Sequence, residues 1–429
     1  MFTRRRATAD AARVYYWLTA GQTFLFCLIT TVNMVYQVTV VGLSPLELVL
    51  VGTTLELVCF VFEVPTGLLA DLKSRRLSVL IGVAGMGAGF TLEGSVPTFW
   101  AVIVAQVIWG ISYTFTSGAT QAWITDEVGE ARVGAIFTRE TQLGLGATFV
   151  ATALAGGLGV INVRIPIIAG GLGLVALAVG LAMVMPERNF HPVRRTHREA
   201  WASMGHSFTA GLRHARNRPV VRTFVLVSLL VGLASEAFDR LWTPHLLNQF
   251  ALPSLFGSHS PALWFAVFGL IGTLISLATS LLLNKVGPEV FASHHPNRLV
   301  AAGMGLQALG ILGVAFAPGM WLLLGSRWLK DAASAVTWPV ENAWLNRHIP
   351  SSIRATVLSM NGQANAIGQV VGGPPLGAVA NRFGIPAALT VSAIVWAPTV
   401  AMFARLRPDQ AERAQPPERP SQDGPSVES

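Results

Sequence analysis

The chain reads as long apolar runs separated by short polar intervals. Twelve such runs can be drawn, over residues 14–41, 46–69, 77–95, 97–124, 137–160, 165–185, 220–245, 263–283, 298–317, 319–345, 356–379 and 385–404. At 1.5 Å of helical rise per residue, each is long enough to cross a hydrocarbon layer of about 30 Å. The runs lack the short alternating segments of a membrane β-barrel, and several hold Gly and Pro, which membrane helices tolerate and use for close packing. The longest interval, 186–219, has six runs on either side. The pattern predicts an all-α polytopic membrane protein with 12 transmembrane helices as two six-helix bundles. Residues 1–185 form the N-terminal half, 186–219 a linker with an amphipathic surface stretch at Trp201–Leu212, and 220–406 the C-terminal half. Residues 407–429, rich in Pro, Gln, Glu and Ser, form a tail expected to be disordered.

Composition narrows the alternatives. Hydrophobic residues make up 52% of the 429 and charged residues 12%, with a mean hydropathy of +0.53. A soluble fold carries about twice that share of charge. The net charge of +8 would suggest nucleic acid in a soluble protein, but its distribution says otherwise. With the N-terminus placed in the cytoplasm, 25 of the 30 Lys and Arg fall on the cytoplasmic side and only Arg164 and Arg382 on the outer side. The positive-inside rule then puts both termini in the cytoplasm of a cell-membrane protein. The charge is a topology signal, with some attraction to anionic lipid, and no nucleic-acid partner is expected. Cys27 and Cys59 lie in apolar runs and make no disulfide framework.

The two halves repeat each other. Ala84-Gly85-Met86-Gly87 recurs as Ala302-Gly303-Met304-Gly305, at an offset of 218. Trp100 matches Trp321, Ala122-Trp123 matches Ala343-Trp344, Gln142 matches Gln363, and Gly156 matches Gly377, all at an offset of 221.

Residues Gly67-Leu68-Leu69-Ala70-Asp71-Leu72-Lys73-Ser74-Arg75-Arg76 resemble the loop G-x-L-a-D-r-x-G-r-r between helices two and three of major facilitator superfamily transporters. Leu72 and Ser74 depart from it. Ser117–Glu127 is similar to the end of helix four in a drug-efflux-like branch of that superfamily. The repeat of same-topology six-helix halves fits this resemblance. It implies a cytoplasmic gate built from Gly67, Asp71, Arg75, Arg76 and Asp126, which latches the halves in the outward-open state. The simpler reading of the loop is a topological anchor, although Asp71 adds nothing to the positive-inside bias. Gln106 stands where the superfamily often has a buried helix-four arginine. Helix five lacks the antiporter proline, and helix eleven has the closer match, Gly373-Pro374-Pro375-Leu376-Gly377.

Ionisable groups inside the bilayer cost roughly 2.5–3.5 kcal/mol each and so point to function. Glu56 and Glu63, seven apart on the second run, share one helix face and are candidate proton carriers, with Asp331 a third; structural hydrogen bonding is the alternative. Arg327, Lys330 and Asp331 reach mid-membrane on the tenth run. Arg327 and Asp331, four apart, can pair on one face. Arg327 and Lys330 are candidates for binding substrate, together with Gln106, Gln142, Gln363, Tyr113 and Trp109; a static ion pair is the alternative. Glu236, Asp239 and Arg240 sit near the outer end of the seventh run, as a surface ion pair or an outer gate.

Other chemistry is not encoded. No G-x-x-x-x-G-K-[ST] motif is present, so no nucleotide drives the chain. His294-His295 has no further ligands at metal spacing, so no metal site is expected. No cofactor is expected, and a proton gradient is the expected energy source. No nucleophile–base cluster suggests an enzyme. The expected function is alternating-access secondary transport by a monomer, as proton-coupled export of an amphipathic small molecule. Uptake of a small metabolite, with anions among the candidates, is one alternative, and a non-transporting sensor on the same scaffold is another.

Overall fold

In a computed structural model the described residues are 2–191, 219–291, 296–347, 349 and 354–406. The Trp201–Leu212 stretch, the His294-His295 pair and the tail from 407 lie outside them. The described residues form helices with no strand longer than an isolated bridge between Leu255 and Ser258. In chain order they are α1 (Phe2–Tyr36, continued by a π turn at Gln37–Val41), α2 (Pro45–Leu72), α3 (Arg75–Ser95), α4 (Phe99–Thr116) and α5 (Ala119–Val128). Next come α6 (Glu130–Ile161), α7 (Arg164–Val184), α8 (Pro219–Gln249), α9 (Pro261–Phe291) and α10 (Pro296–Phe316). The last four are α11 (Met320–Arg347), α12 (Arg354–Phe383), α13 (Ile385–Trp396) and α14 (Pro398–Arg405).

The twelve predicted runs appear as twelve spans, two of them broken. The fourth is interrupted at Ser117–Gly118, where Gly118 takes a φ of +73°, and the twelfth at Ala397. Polar residues set the ends. Ser44 and Glu47 form a reciprocal capping box at the start of α2, with Pro45 following in the first helical turn. Ser74 caps α3 by accepting from the Leu77 amide at 2.9 Å. Ten spans are apolar and long enough to cross a membrane. The two outside that set, α11 and α12, have traded apolar residues for the charges and amides that face the interior of the protein.

Buried apolar side chains gather into one cluster drawn mainly from α1, α3, α5, α6 and α7 and another drawn from α8 to α14. The Lys and Arg of the α2–α3 turn and of the α7 end mark one face, called here the basic face. Near the opposite face α2 packs against α12 and α8, and α6 against α9. There Gly373 and Gly377 of α12 approach Val49 and Leu46, the Leu46 amide donates to Asn381 Oδ1 at 3.2 Å, and Gly156 faces Ala266. Toward the basic face α2 instead exposes Leu57, Val61 and Phe62, and α9 exposes Leu281 and Leu282.

Candidate functional site

Two adjoining cavities follow from this geometry. The first, about 730 Å³, lies between the halves. Its walls are Cys27, Thr31 and Met34 of α1, Thr148 and Thr152 of α6, Trp242 and Thr243 of α8, Phe265, Phe268 and Ser276 of α9, and Arg327, Trp328 and Asp331 of α11. Arg327 Nε lies 3.5 Å from Asp331 Oδ2, the pairing expected from their spacing, and its guanidinium stacks 3.7 Å over the Trp242 ring. Cation–π contact and the ion pair together stabilise a charge that would otherwise be costly at this depth. The cavity is thus mostly aromatic and hydroxylic, with one fixed ion pair, which suits a drug-sized amphipathic ligand.

The second cavity, about 450 Å³, lies within the C-terminal half between α8, α11 and α12. Its polar wall is a ladder. Ser228 Oγ donates to Asn361 Oδ1 at 2.8 Å, Asn365 Nδ2 to the Ser228 carbonyl at 3.2 Å, and Gln369 Nε2 to Asn365 Oδ1 at 2.8 Å. Lys330 reaches into it, with Nζ 4.5 Å from the Phe238 ring and 5.9 Å from Trp396. Asp239 and Glu341 line it too, and Glu341 Oε1 is buried with no hydrogen-bond partner. Arg327 and Lys330 are three residues apart, so α11 presents one cation to each cavity.

The other expected substrate residues fall elsewhere. Gln106 is 1% exposed and donates to Glu93 Oε2 at 3.3 Å. Glu93 itself is wholly buried and also accepts from Gln37 Nε2 at 2.7 Å, while its backbone carbonyl accepts from the Tyr36 hydroxyl at 2.6 Å. This carboxylate–amide knot ties α1, α3 and α4 together. Trp109 packs between Phe26 and Phe90 at centroid distances of 5.5 and 5.0 Å, whereas Tyr113 on the same helix is half exposed. Gln142 is exposed on α6 and Gln363 half-buried on α12; neither lines the two cavities. Of the candidate proton carriers, Glu56 is half-buried, Glu63 exposed, and Asp331 faces the first cavity.

Glu236 and Arg240 correct one expectation. They do pair, at 3.0 Å, but Glu236 is 3% exposed and the pair is no surface feature. It presses on Gly52 of α2, where an added Cβ would overlap the Glu236 carboxylate and the Arg240 guanidinium. Spacing along α8 predicted the pair; only the packing of α8 on α2 turned it inward. Asp239, between them in sequence, is exposed and lines the second cavity.

At the basic face Arg75 is the hub. Its Nη1 donates to Asp126 and to the Ala122 carbonyl, the latter at 2.9 Å, while Asp71 lies 3.7 Å away and is half exposed. Arg76 donates its backbone amide to Glu187 Oε1 at 2.9 Å and its guanidinium to the Ala182 carbonyl at 2.5 Å. Ser74 Oγ donates to Glu187 Oε2 at 2.6 Å, so the serine that replaces the loop glycine works as both helix cap and tether. Glu127 Oε1 accepts from the amides of Arg188 and Asn189 at 2.7 and 2.9 Å. Gly67 lies in the α2 interior with open space where a side chain would go. These bonds join α2, α3, α5, the end of α7 and residues 187–189 just after it, and none of them reaches the C-terminal half.

Sequence reasoning missed Glu93, Glu341, Glu127 and Glu187. Glu93 and Glu341 lie a few residues from the ends of their apolar runs and read as boundary residues. The signal that could have found Glu93 is its pair of amides, Gln37 and Gln106, each isolated in an apolar run of its own.

The Major Facilitator Superfamily model matches residues 18–293 and 290–427. The chain is 22% identical over 349 residues to the uncharacterized MFS-type transporter YxaM of Bacillus subtilis (strain 168), covering 81% of this chain and 84% of that one. It is 24% identical to the multidrug resistance protein MdtG of Dickeya zeae (strain Ech586), covering 77% and 76%. Among solved structures, the nucleoside transporter NupG superposes with a TM-score of 0.74 at 15% identity, covering 92% of this chain and 100% of that one.

Proposed function

From the premise that the chain belongs to the Major Facilitator Superfamily, whose model spans nearly all of it, we propose that it exports an amphipathic small molecule across the cell membrane by alternating access. The basic face and both termini are cytoplasmic, and inward movement of protons drives export with no bound cofactor. The observation that carries this reading is the aromatic cavity of about 730 Å³ between the halves, with the Arg327–Asp331 pair on its wall. The likeness to a protein named for multidrug resistance supports the direction.

The conformation described is inward-facing on this reading. The halves touch near the opposite face and expose α2 and α9 toward the basic face. Asp71 then waits outside the latch, with Arg75 as its partner, and engages the other half when the cytoplasmic side closes. Glu56 and Asp331 are the carboxylates best placed to carry protons, since both border the space between the halves. Glu236 and Arg240 form the outer gate, closed against Gly52. The monomer is the working unit, with halves 1–185 and 220–406 rocking about the linker.

A second reading, uptake of an anionic metabolite, is favoured by one feature: Arg327 and Lys330 each face a cavity. Inverted vesicles separate the two. Export predicts that a mixed panel of drugs and metabolites yields a solute accumulated only when a pH gradient is imposed, acid inside the vesicle. Accumulation that ignores the gradient removes proton coupling, and accumulation of an anion in right-side-out vesicles alone reverses the direction.

A further inference from the structure

Outside the transport path, α1 and α7 make a fork. They press together at mid-height, where a Cβ added at Gly21 would meet Leu177 at 3.3 Å. Below that point, toward the basic face, they part. Gly180 has open space where a side chain would go, and Trp17 across the gap is 75% exposed. The opening is a cavity of about 830 Å³ with apolar walls that include Val14, Leu177 and Val184. At its mouth stand Arg13, Arg188 and Asp10. From Gly21 down to Arg13 is eight residues, roughly 12 Å of helix, the length of the first part of an acyl chain below its headgroup.

The charges at the mouth do not satisfy one another. Among the described residues neither guanidinium has an ion-pair or hydrogen-bond partner, although Asp10 is nearby. The Arg188 backbone is held, its amide bonded to Glu127 Oε1 at 2.7 Å, so the side chain projects from a fixed point. Two cations against one carboxylate leave the mouth positive. An apolar slot beneath a positive mouth, edged by an exposed tryptophan at headgroup level, is complementary to one kind of molecule. A zwitterionic lipid would bring a second cation to a mouth that is already positive, and a soluble anion would leave the slot unfilled.

We propose that this fork is a binding site for an anionic phospholipid of the leaflet at the basic face. The phosphate sits between Arg13 and Arg188, one acyl chain runs up the slot past Gly180 toward Leu177, and Trp17 closes the side. The site is separate from the substrate cavities and does not depend on what the protein carries.

The test uses the full-length protein purified from membranes and equilibrated with equal amounts of phosphatidylglycerol and phosphatidylcholine, with retained lipid read by native mass spectrometry. Wild type should retain the anionic lipid preferentially. Arg13→Gln with Arg188→Gln should lower that preference by about 25-fold, since each basic residue near the surface contributes on the order of a factor of five. Gly180→Leu keeps both arginines but fills the slot, and should lower it comparably without lowering the unfolding temperature. Unchanged preference in the double variant overturns the site. Loss in the double variant but not in Gly180→Leu shows diffuse attraction to the surface, and overturns the slot. Displacement of the lipid by excess inorganic phosphate shows a soluble-anion site instead.

Discussion

Gly52 offers a direct handle on the conformational equilibrium. Substituting Gly52→Leu places a side chain where Glu236 and Arg240 of the other half now lie. In the conformation described, two responses are open. The helices can part slightly, at the usual overpacking cost of about 1–3 kcal/mol. Alternatively the Glu236–Arg240 pair can break, leaving a carboxylate that is 3% exposed without its partner, at about 3–5 kcal/mol. The cheaper response sets the lower bound. In a conformation where α2 and α8 have separated at this level, neither cost arises. The substitution should therefore shift the population away from the present state by about 5- to 150-fold. Cys27 reports it, because it lines the cavity between the halves and carries no disulfide. In a Cys59→Ala background, a membrane-impermeant maleimide added from the basic face should label Cys27 more slowly in Gly52→Leu than in wild type, and one added from the opposite face, which reads the minor state, should label it about fivefold faster at the lower bound. Gly52→Ala should fall between them. A folded Gly52→Leu protein that labels at the wild-type rate from both faces would refute the role assigned to this contact.

The remaining predictions concern the charges. Asp126→Asn should lower the unfolding temperature more than Asp71→Asn, because Asp126 holds the hub arginine directly whereas Asp71 is a half-exposed partner at 3.7 Å worth under about 1 kcal/mol; equal effects would contradict the hub, and an Asp71→Asn protein with unaltered transport and accessibility would remove the latch. Glu93→Leu should destabilise by about 2–5 kcal/mol, since it strands the Gln37 and Gln106 amides, while Glu93→Gln should cost less; the comparison is read by thermal unfolding in detergent. Arg327→Leu should abolish transport, and Arg327→Leu with Asp331→Leu should not restore it if the pair handles substrate or protons; recovery in the double variant would mark it as a static pair. Glu341→Gln should weaken binding of cationic members of the substrate panel by about tenfold relative to neutral ones, the effect of one lost charge-assisted contact.

The order of apolar runs already determined the number of spans, their topology signal and the division into similar halves. These follow from solvation: a bilayer tolerates only long helices with satisfied backbones, and it expels charge to the ends. For the same reason the i, i+4 pairs Arg327–Asp331 and Glu236–Arg240 were legible, since helical geometry alone brings such residues together. What a buried polar group faces was not legible. Gln106 stands where the superfamily often has a buried arginine, yet here it closes on Glu93, a contact set by how α3 crosses α4. Gly52 is one of 42 glycines in the sequence, and only the approach of α8 gives it a role. Lys330 and Arg327 are three residues apart and look alike in the sequence, yet the packing of α8, α9 and α12 around α11 sends them into different cavities. Local periodicity decides which face of a helix a residue occupies, but the facing partner comes from another part of the chain, and only the tertiary packing of the two halves selects it.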